Sequence, residues 1–361
     1  MLVAVSITAA LAGFIVAIVS NVSGFWSRTT GRISAEAQAR YVLDQLTLDL
    51  QGAIFRDDGS VALAADVIVA ATGNNSTMWQ QAGNRANDKP PSGVSLDLPA
   101  TRADLAVKGR FSDTRYGNAG VWLRLFTTRR GANVTSNSLA TASVPVAVGY
   151  QIFRRFSAAT ANSVAATKTA YFLHRVEVRP AATTGGTPRP GVLESGYNLT
   201  ASAYTTGTAN NTGNTTGDPV TIQVVSTNPR NLDSVIAENV IDFGIRAYVR
   251  DATQPSGLRL IFPATTAGVL TNSSKPLRAQ LPSDTPPTSP NYDPSLLMPD
   301  VVDVMVRILT DEGARMIATY EQANSPLTLP QGRNAQQYWW DLADANSQTF
   351  TRRIALNAKS L

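Results

Sequence analysis

The first 27 residues contain no Asp, Glu, Lys or Arg, and Arg28 is the first charge. No other feature of the chain constrains its fold as much. As an α-helix, residues 1–26 (MLVAVSITAALAGFIVAIVSNVSGFW) would span ~39 Å, more than the ~30 Å hydrocarbon core of a bilayer. Phe25 and Trp26 close the stretch, where amphipathic rings favour a membrane–water interface. Two other readings compete. Ala10-Leu11-Ala12 matches the small-x-small cleavage pattern of a secretory signal, but the apolar run before it is short, no basic region precedes it, and the run continues past it. A buried core helix would need protein cover on every side. Residues 1–27 therefore read as the transmembrane half of a helix.

The helical pattern then continues in a different form. No proline occurs between Thr29 and Phe55. Apolar residues fall at Ala39, Leu43, Leu46, Leu50 and Ile54, spaced as one face of a helix. Glu36 and Arg40 form a favourable i,i+4 pair, and Gln38, Gln45, Asp49 and Gln51 are placed on other faces. The spacing predicts one helix from near residue 3 to near residue 54. Its second half, residues 28–55, is amphipathic and lays Leu43, Leu46, Leu50 and Ile54 on a soluble domain. Gly24 and Gly31 are the points where it can bend.

Beyond Phe55 the helical period gives way to short alternating or β-branched runs. The clearest are Val121–Thr127, Val144–Phe153, Ala170–Val178, Val220–Ser226, Val240–Val249, Leu258–Phe262, Val301–Leu309 and Phe350–Leu356. They follow one another through loops rather than regular crossover helices, which predicts an antiparallel sheet. Short helical pieces are expected at Leu232–Glu238 and Glu312–Tyr320. Residues 181–218, dense in Thr, Gly and Asn, and residues 276–299, with seven prolines, cannot bury a core of their own and read as insertions, either exposed loops or extended arms over the domain. The expected fold class is α+β, with residues 56–361 forming one mostly β domain.

Composition removes several function classes. Net charge is +5, from 31 basic and 26 acidic residues, and no basic run exceeds a pair (Arg129-Arg130, Arg154-Arg155, Arg352-Arg353). A nucleic-acid footprint needs clustered Lys/Arg with aromatic partners, so no nucleic-acid partner is expected. With no cysteine, disulfides, thiolate zinc sites and thiol catalysis are excluded. The one histidine, His174, lies in an alternating run and reads as structural. Asp57-Asp58-Gly59-Ser60 lacks the acidic spacing of a calcium loop, and Asp311-Glu312-Gly313 reads as a turn into a helix. Asn74-Asn75-Ser76-Thr77 and Asn133-Val134-Thr135 fit the glycosylation pattern, as a chain rich in Asn and Thr does by chance. Trp339-Trp340 beside Tyr338 reads as core packing, with a partner or glycan contact as the alternative. No catalytic residue, metal site or cofactor is expected; carboxylate-only hydrolysis stays open because two Asp/Glu are invisible without a fold.

Met1-Leu2-Val3-Ala4-Val5-Ser6-Ile7 resembles the prepilin-type N-terminus of type IV pilins and type II secretion pseudopilins, in which a Gly-Phe-Thr-Leu-x-Glu stretch runs straight into residues of this kind. The match starts partway in, which implies a leader upstream of Met1; the processing residues are not carried over. Ala39–Leu50 resembles the second helix half of J-type minor pseudopilins, and Val240–Tyr248, Pro299–Val306 and Phe350–Ile354 resemble their late strands. The larger, prepilin-signalled Verru_Chthon cassette proteins are also similar. The resemblance implies a pilin-like fold and a structural subunit of a secretion or pilus-like filament. It also implies a bacterial inner-membrane protein with its globular part in the periplasm or on the cell surface, and pilin-like partners. Arg28 and Arg32 after the span would alone place the domain in the cytoplasm; an upstream basic leader reverses that. Small residues at Ala9, Ala10, Gly13 and Ala17 let neighbouring helices approach in lipid, so they join Leu43, Leu46, Leu50 and Ile54 as the expected packing and assembly residues. The competing function class is a membrane-anchored surface hydrolase or glycan-binding protein, for which an anchor of about 20 residues would suffice.

Overall fold

The structure is a computed structural model that describes residues 2–56, 59–67, 121–128, 145–156, 169–178, 199, 235–262, 276–290, 292–320, 327–332 and 335–357. The run Val220–Ser226, residues 181–218 apart from Leu199, Asp57-Asp58 and both glycosylation matches lie outside the described residues.

Helix α1 runs unbroken over Leu2–Gln51, 50 residues or ~75 Å. Neither Gly24 nor Gly31 interrupts it. It stops three residues before the expected end, and the reason is local. Gly52 donates to the Leu48 carbonyl, and the chain then turns onto strand β2 (Val121–Thr128): Thr128 N–H bonds to the Gly52 carbonyl and Ile54 N–H to the Phe126 carbonyl. The Thr127 hydroxyl donates to the Asp49 carbonyl at 2.8 Å, capping an acceptor that the helix end leaves open. Only glycine fits at position 52, since a Cβ would lie 2.7 Å from Thr127 Oγ1 and 2.9 Å from the Thr128 carbonyl oxygen. Ile54 is buried as expected, but from an extended segment and not from the helix.

Ten strands form two antiparallel sheets among the described residues. The first orders β5-β4-β3-β2-β1-β8, with β1 Leu63–Val67, β3 Pro145–Phe156, β4 Thr169–Val178, β5 Val235–Glu238 and β8 Leu277–Ala279. The second orders β10-β9-β6-β7, with β6 Val240–Arg250, β7 Leu258–Phe262, β9 Val301–Leu309 and β10 Ser347–Ala355. The α+β class and the antiparallel pairing match the sequence expectation. The division into two sheets does not follow from it. A single residue makes the first crossing between them: Asn239, with φ 61°, separates β5 from β6 and turns the chain from the first sheet into the second. Asn tolerates this left-handed conformation better than most residues. The sheets meet through rings such as Tyr150 on β3 and Phe243 on β6, 6.4 Å apart.

Two expectations need correction. Leu232–Glu238 is not helical where it is described; Val235–Glu238 is β5, paired with β4 through Phe172↔Glu238 and Leu173↔Ala237. The Pro-rich stretch 276–299, expected as an exposed loop or an extended arm over the domain, is only partly exposed. It begins as β8 on the edge of the first sheet, makes a single 3-10 turn at Pro294–Leu296 capped by Asp293, and buries Leu297 and Met298. Gln280 and Leu281 N–H groups both bond to the Leu296 carbonyl, so the stretch folds back on itself around an exposed tip near Pro286-Pro287. Prolines are compatible with such a strap because they occur where no ladder donor is needed.

Helices α2 (Asp311–Tyr320) and α3 (Ala335–Ala345) complete the described fold. Thr310 caps α2 by accepting from Gly313 N–H, and Asp311 and Glu312 occupy its first turn, where the helix dipole favours negative charge. Trp339 on α3 is fully buried, with its ring 6.1 Å from that of Tyr171 on β4, so this member of the aromatic pair is core. His174 is buried in β4, edge-on to Phe172.

Candidate assembly surface on the N-terminal helix

From Gly31 onward, one side of α1 faces the domain. Ala35, Ala39, Val42, Leu43, Leu46, Asp49 and Leu50 are buried and fall within an arc of about 120° at 3.6 residues per turn. They pack chiefly on β10, β9, β5 and β2, so the helix touches both sheets. Each of Leu43, Leu46 and Leu50 contributes ~1.5–3 kcal/mol by burial.

Polar contacts pin this docking at three heights. Near the start, Gln38 Oε1 accepts from Glu238 N–H at 2.8 Å, covering part of edge strand β5. In the middle, the Arg352 guanidinium on β10 donates to Asp44 at 2.5 Å and to the Thr47 hydroxyl at 3.2 Å. Near the end, Asp49 takes Arg175 Nε at 2.7 Å and Nη2 at 2.9 Å, a two-pronged pair, and also accepts from the Tyr150 hydroxyl. Burial first, and the neighbouring Asp49 carboxylate second, push the Tyr150 hydroxyl well above its ordinary pKa, against the opposing pull of Arg175. The sequence reading placed Asp49 on a face other than the apolar stripe. It is in fact buried, because β3 and β4 bring Tyr150 and Arg175 to meet it across 101 and 126 residues of chain.

The opposite side of α1 also carries apolar side chains, interrupted by Asp44. Ile33, Ala37, Tyr41 and Leu48 are exposed and fall within about 80°, diametrically across from the buried arc. Trp26, 73% exposed, lies on the same line. The sequence reading found the buried stripe and missed this second one, although its spacing of four, four and seven is equally legible. Glu36 and Arg40 pair at 2.5 Å along its flank, where exposure limits such a pair to ~0.3–0.5 kcal/mol.

Below Gly31 the described side chains of α1 have no domain against them. Ala10, Gly13 and Ala17 are exposed, and a Cβ at Gly13 would meet nothing within 4 Å. The Ala9 side chain lies outside the described residues. The seven described among the eight expected packing residues thus divide: Leu43, Leu46, Leu50 and Ile54 serve the chain's own core, while Ala10, Gly13 and Ala17 face outward. The helix is long and apolar enough to cross a membrane. Among the described residues no cluster of three His, Asp or Glu could hold a metal ion.

No protein-family model, curated protein or solved structure matches the chain.

Proposed function

We propose that the chain is a membrane-anchored assembly subunit of the pilin or pseudopilin kind, held in the bacterial inner membrane by the first half of α1, with its β domain in the periplasm or on the cell surface. Its partners are other pilin-like subunits, and its role is structural, in a type II secretion or pilus-like filament. No cofactor or metal enters this reading.

The observation that carries it is the second apolar stripe. A simple anchor needs about 20 residues and no apolar face beyond the lipid. Here the helix runs on past the charge-free segment, and Ile33, Ala37, Tyr41 and Leu48 stay exposed on the side away from the domain. A neighbouring helix that leaves the membrane alongside α1 would cover that stripe and, within lipid, the surface around Ala10, Gly13 and Ala17, where small residues permit close approach.

The test is photo-cross-linking in membranes, with a probe at Ala37 and a second at Ala17. Helix-to-helix adducts with pilin-like subunits from both positions support the reading. Gly13→Leu should leave insertion intact and reduce the adduct at Ala17 several-fold. Adducts from neither position, in a chain shown to be inserted, would overturn it in favour of a lone anchor carrying a surface binder or hydrolase.

A further inference from the structure

Helix α1 presents a choice that apolar packing alone resolves poorly. Its soluble half has two opposed apolar stripes: one with Val42, Leu43, Leu46 and Leu50, the other with Ile33, Ala37, Tyr41 and Leu48. Each also holds one aspartate, Asp49 on the buried side and Asp44 on the exposed side. The aspartates differ in what meets them. The Asp49 side chain is 7% exposed and held by Arg175 and Tyr150, whereas the Asp44 side chain is 64% exposed and met only at the rim by Arg352.

We infer that Asp49 is the positioning residue that fixes the rotation of α1 on the two sheets, and so decides which apolar stripe is buried and which faces outward. The physical reason is the asymmetry of cost. Turning the helix by half a turn would exchange one set of aliphatic side chains for another at modest loss. It would also leave the Arg175 charge and the Tyr150 hydroxyl in the interior without Asp49 and carry Asp44 inward, and buried charge without its partner is strongly disfavoured. A two-pronged guanidinium–carboxylate pair is directional as well as strong, so it specifies the rotation of the helix and not merely its attachment. A single buried polar residue that sets helix register is the best-attested use of such groups. The inference concerns the inner face and holds whatever covers the outer one.

The absence of cysteine from the chain makes the test clean. Single cysteines at Val42 (inner stripe) and Ala37 (outer stripe) are introduced into the full-length protein in lipid nanodiscs, and their rates with a water-soluble maleimide are compared. With Asp49 present, Ala37→Cys reacts fast and Val42→Cys is protected. In the Asp49→Asn background the ratio of the two rates is expected to fall by about tenfold or more while near-UV circular dichroism persists. The exchanged pair Asp49→Arg with Arg175→Asp should restore part of the protection, which a merely stabilising contact would not do. Tyr150→Phe, which keeps the ion pair, should give an intermediate ratio. An unchanged ratio in folded Asp49→Asn overturns the inference, because apolar packing alone would then set the rotation. Loss of the near-UV signal in both Asp49→Asn and Tyr150→Phe also overturns it, because the network would then hold up the domain as a whole.

Discussion

The two halves of α1 share a backbone geometry and differ in what surrounds it. After Gly31 the helix buries seven side chains in a 120° arc and is tied to both sheets at Gln38, Asp44 and Asp49. Before Gly31 its described side chains have no domain beside them, and Phe14 and Phe25 are each 72% exposed. The helix is sustained by tertiary packing in one half and, as we propose, by lipid in the other, where the backbone must satisfy its own hydrogen bonds. The lesson is that an unbroken helix need not be one energetic unit.

The sharpest way to probe the difference is the same truncation in each half. Leu46→Ala should destabilise the domain by ~2–5 kcal/mol in chemical denaturation, whereas Leu11→Ala should leave it within ~0.5 kcal/mol. A charge reverses the asymmetry. Ala10→Lys should add ~2.5–3.5 kcal/mol to membrane insertion, read as a loss of the integrated fraction in a glycosylation-mapping assay, with no change in the domain's denaturation midpoint.

Glycine gives a smaller contrast. Gly52→Ala should cost ~1–3 kcal/mol because the new methyl meets Thr127 Oγ1 at 2.7 Å, while Gly13→Ala should not register in domain stability. The smallest effect lies at alkaline pH. The raised Tyr150 pKa means that stability from its protonated hydroxyl is complete below the ordinary tyrosine value and is lost as pH rises through the folded value. Tyr150→Phe should therefore flatten the fall in denaturation midpoint that sets in above about pH 10. No mutation in the outward half should alter that slope.

How much of this was legible in the sequence depended on whether the signal was local. The long helix, its inner stripe at Leu43, Leu46 and Leu50, and strands such as Leu258–Phe262 and Val301–Leu309 follow from period and branching within a short window. Strand β5 was read as helix because four residues, Val235–Glu238, carry too little periodicity; its pairing with β4 decides it. That the stretch 276–299 joins the first sheet was not legible, because proline density says nothing about β8 pairing with β1. Asp49 was misplaced for the same reason: its partners Tyr150 and Arg175 are distant in sequence, and only the meander of β3 and β4 brings them together. The outer stripe was missed for a different reason. Its spacing is local, and it passed unnoticed because one apolar face is the expected number for a surface helix.

The contact between Asp44 and Arg352 joins residues 308 positions apart, and strand β10 is the last of the described strands. It therefore sets an order in time. The helix leaves the ribosome well before β9 and β10, on which it lies. At 5–20 residues per second, roughly 15–60 s separate the two, and during that interval both apolar stripes of α1 are uncovered. Early capture of residues 1–27 by the membrane would keep the helix apart from other nascent chains while its own landing site is still being made. On this timetable a membrane-held α1 would wait for its landing site, and its docking is complete only when β10 has been made.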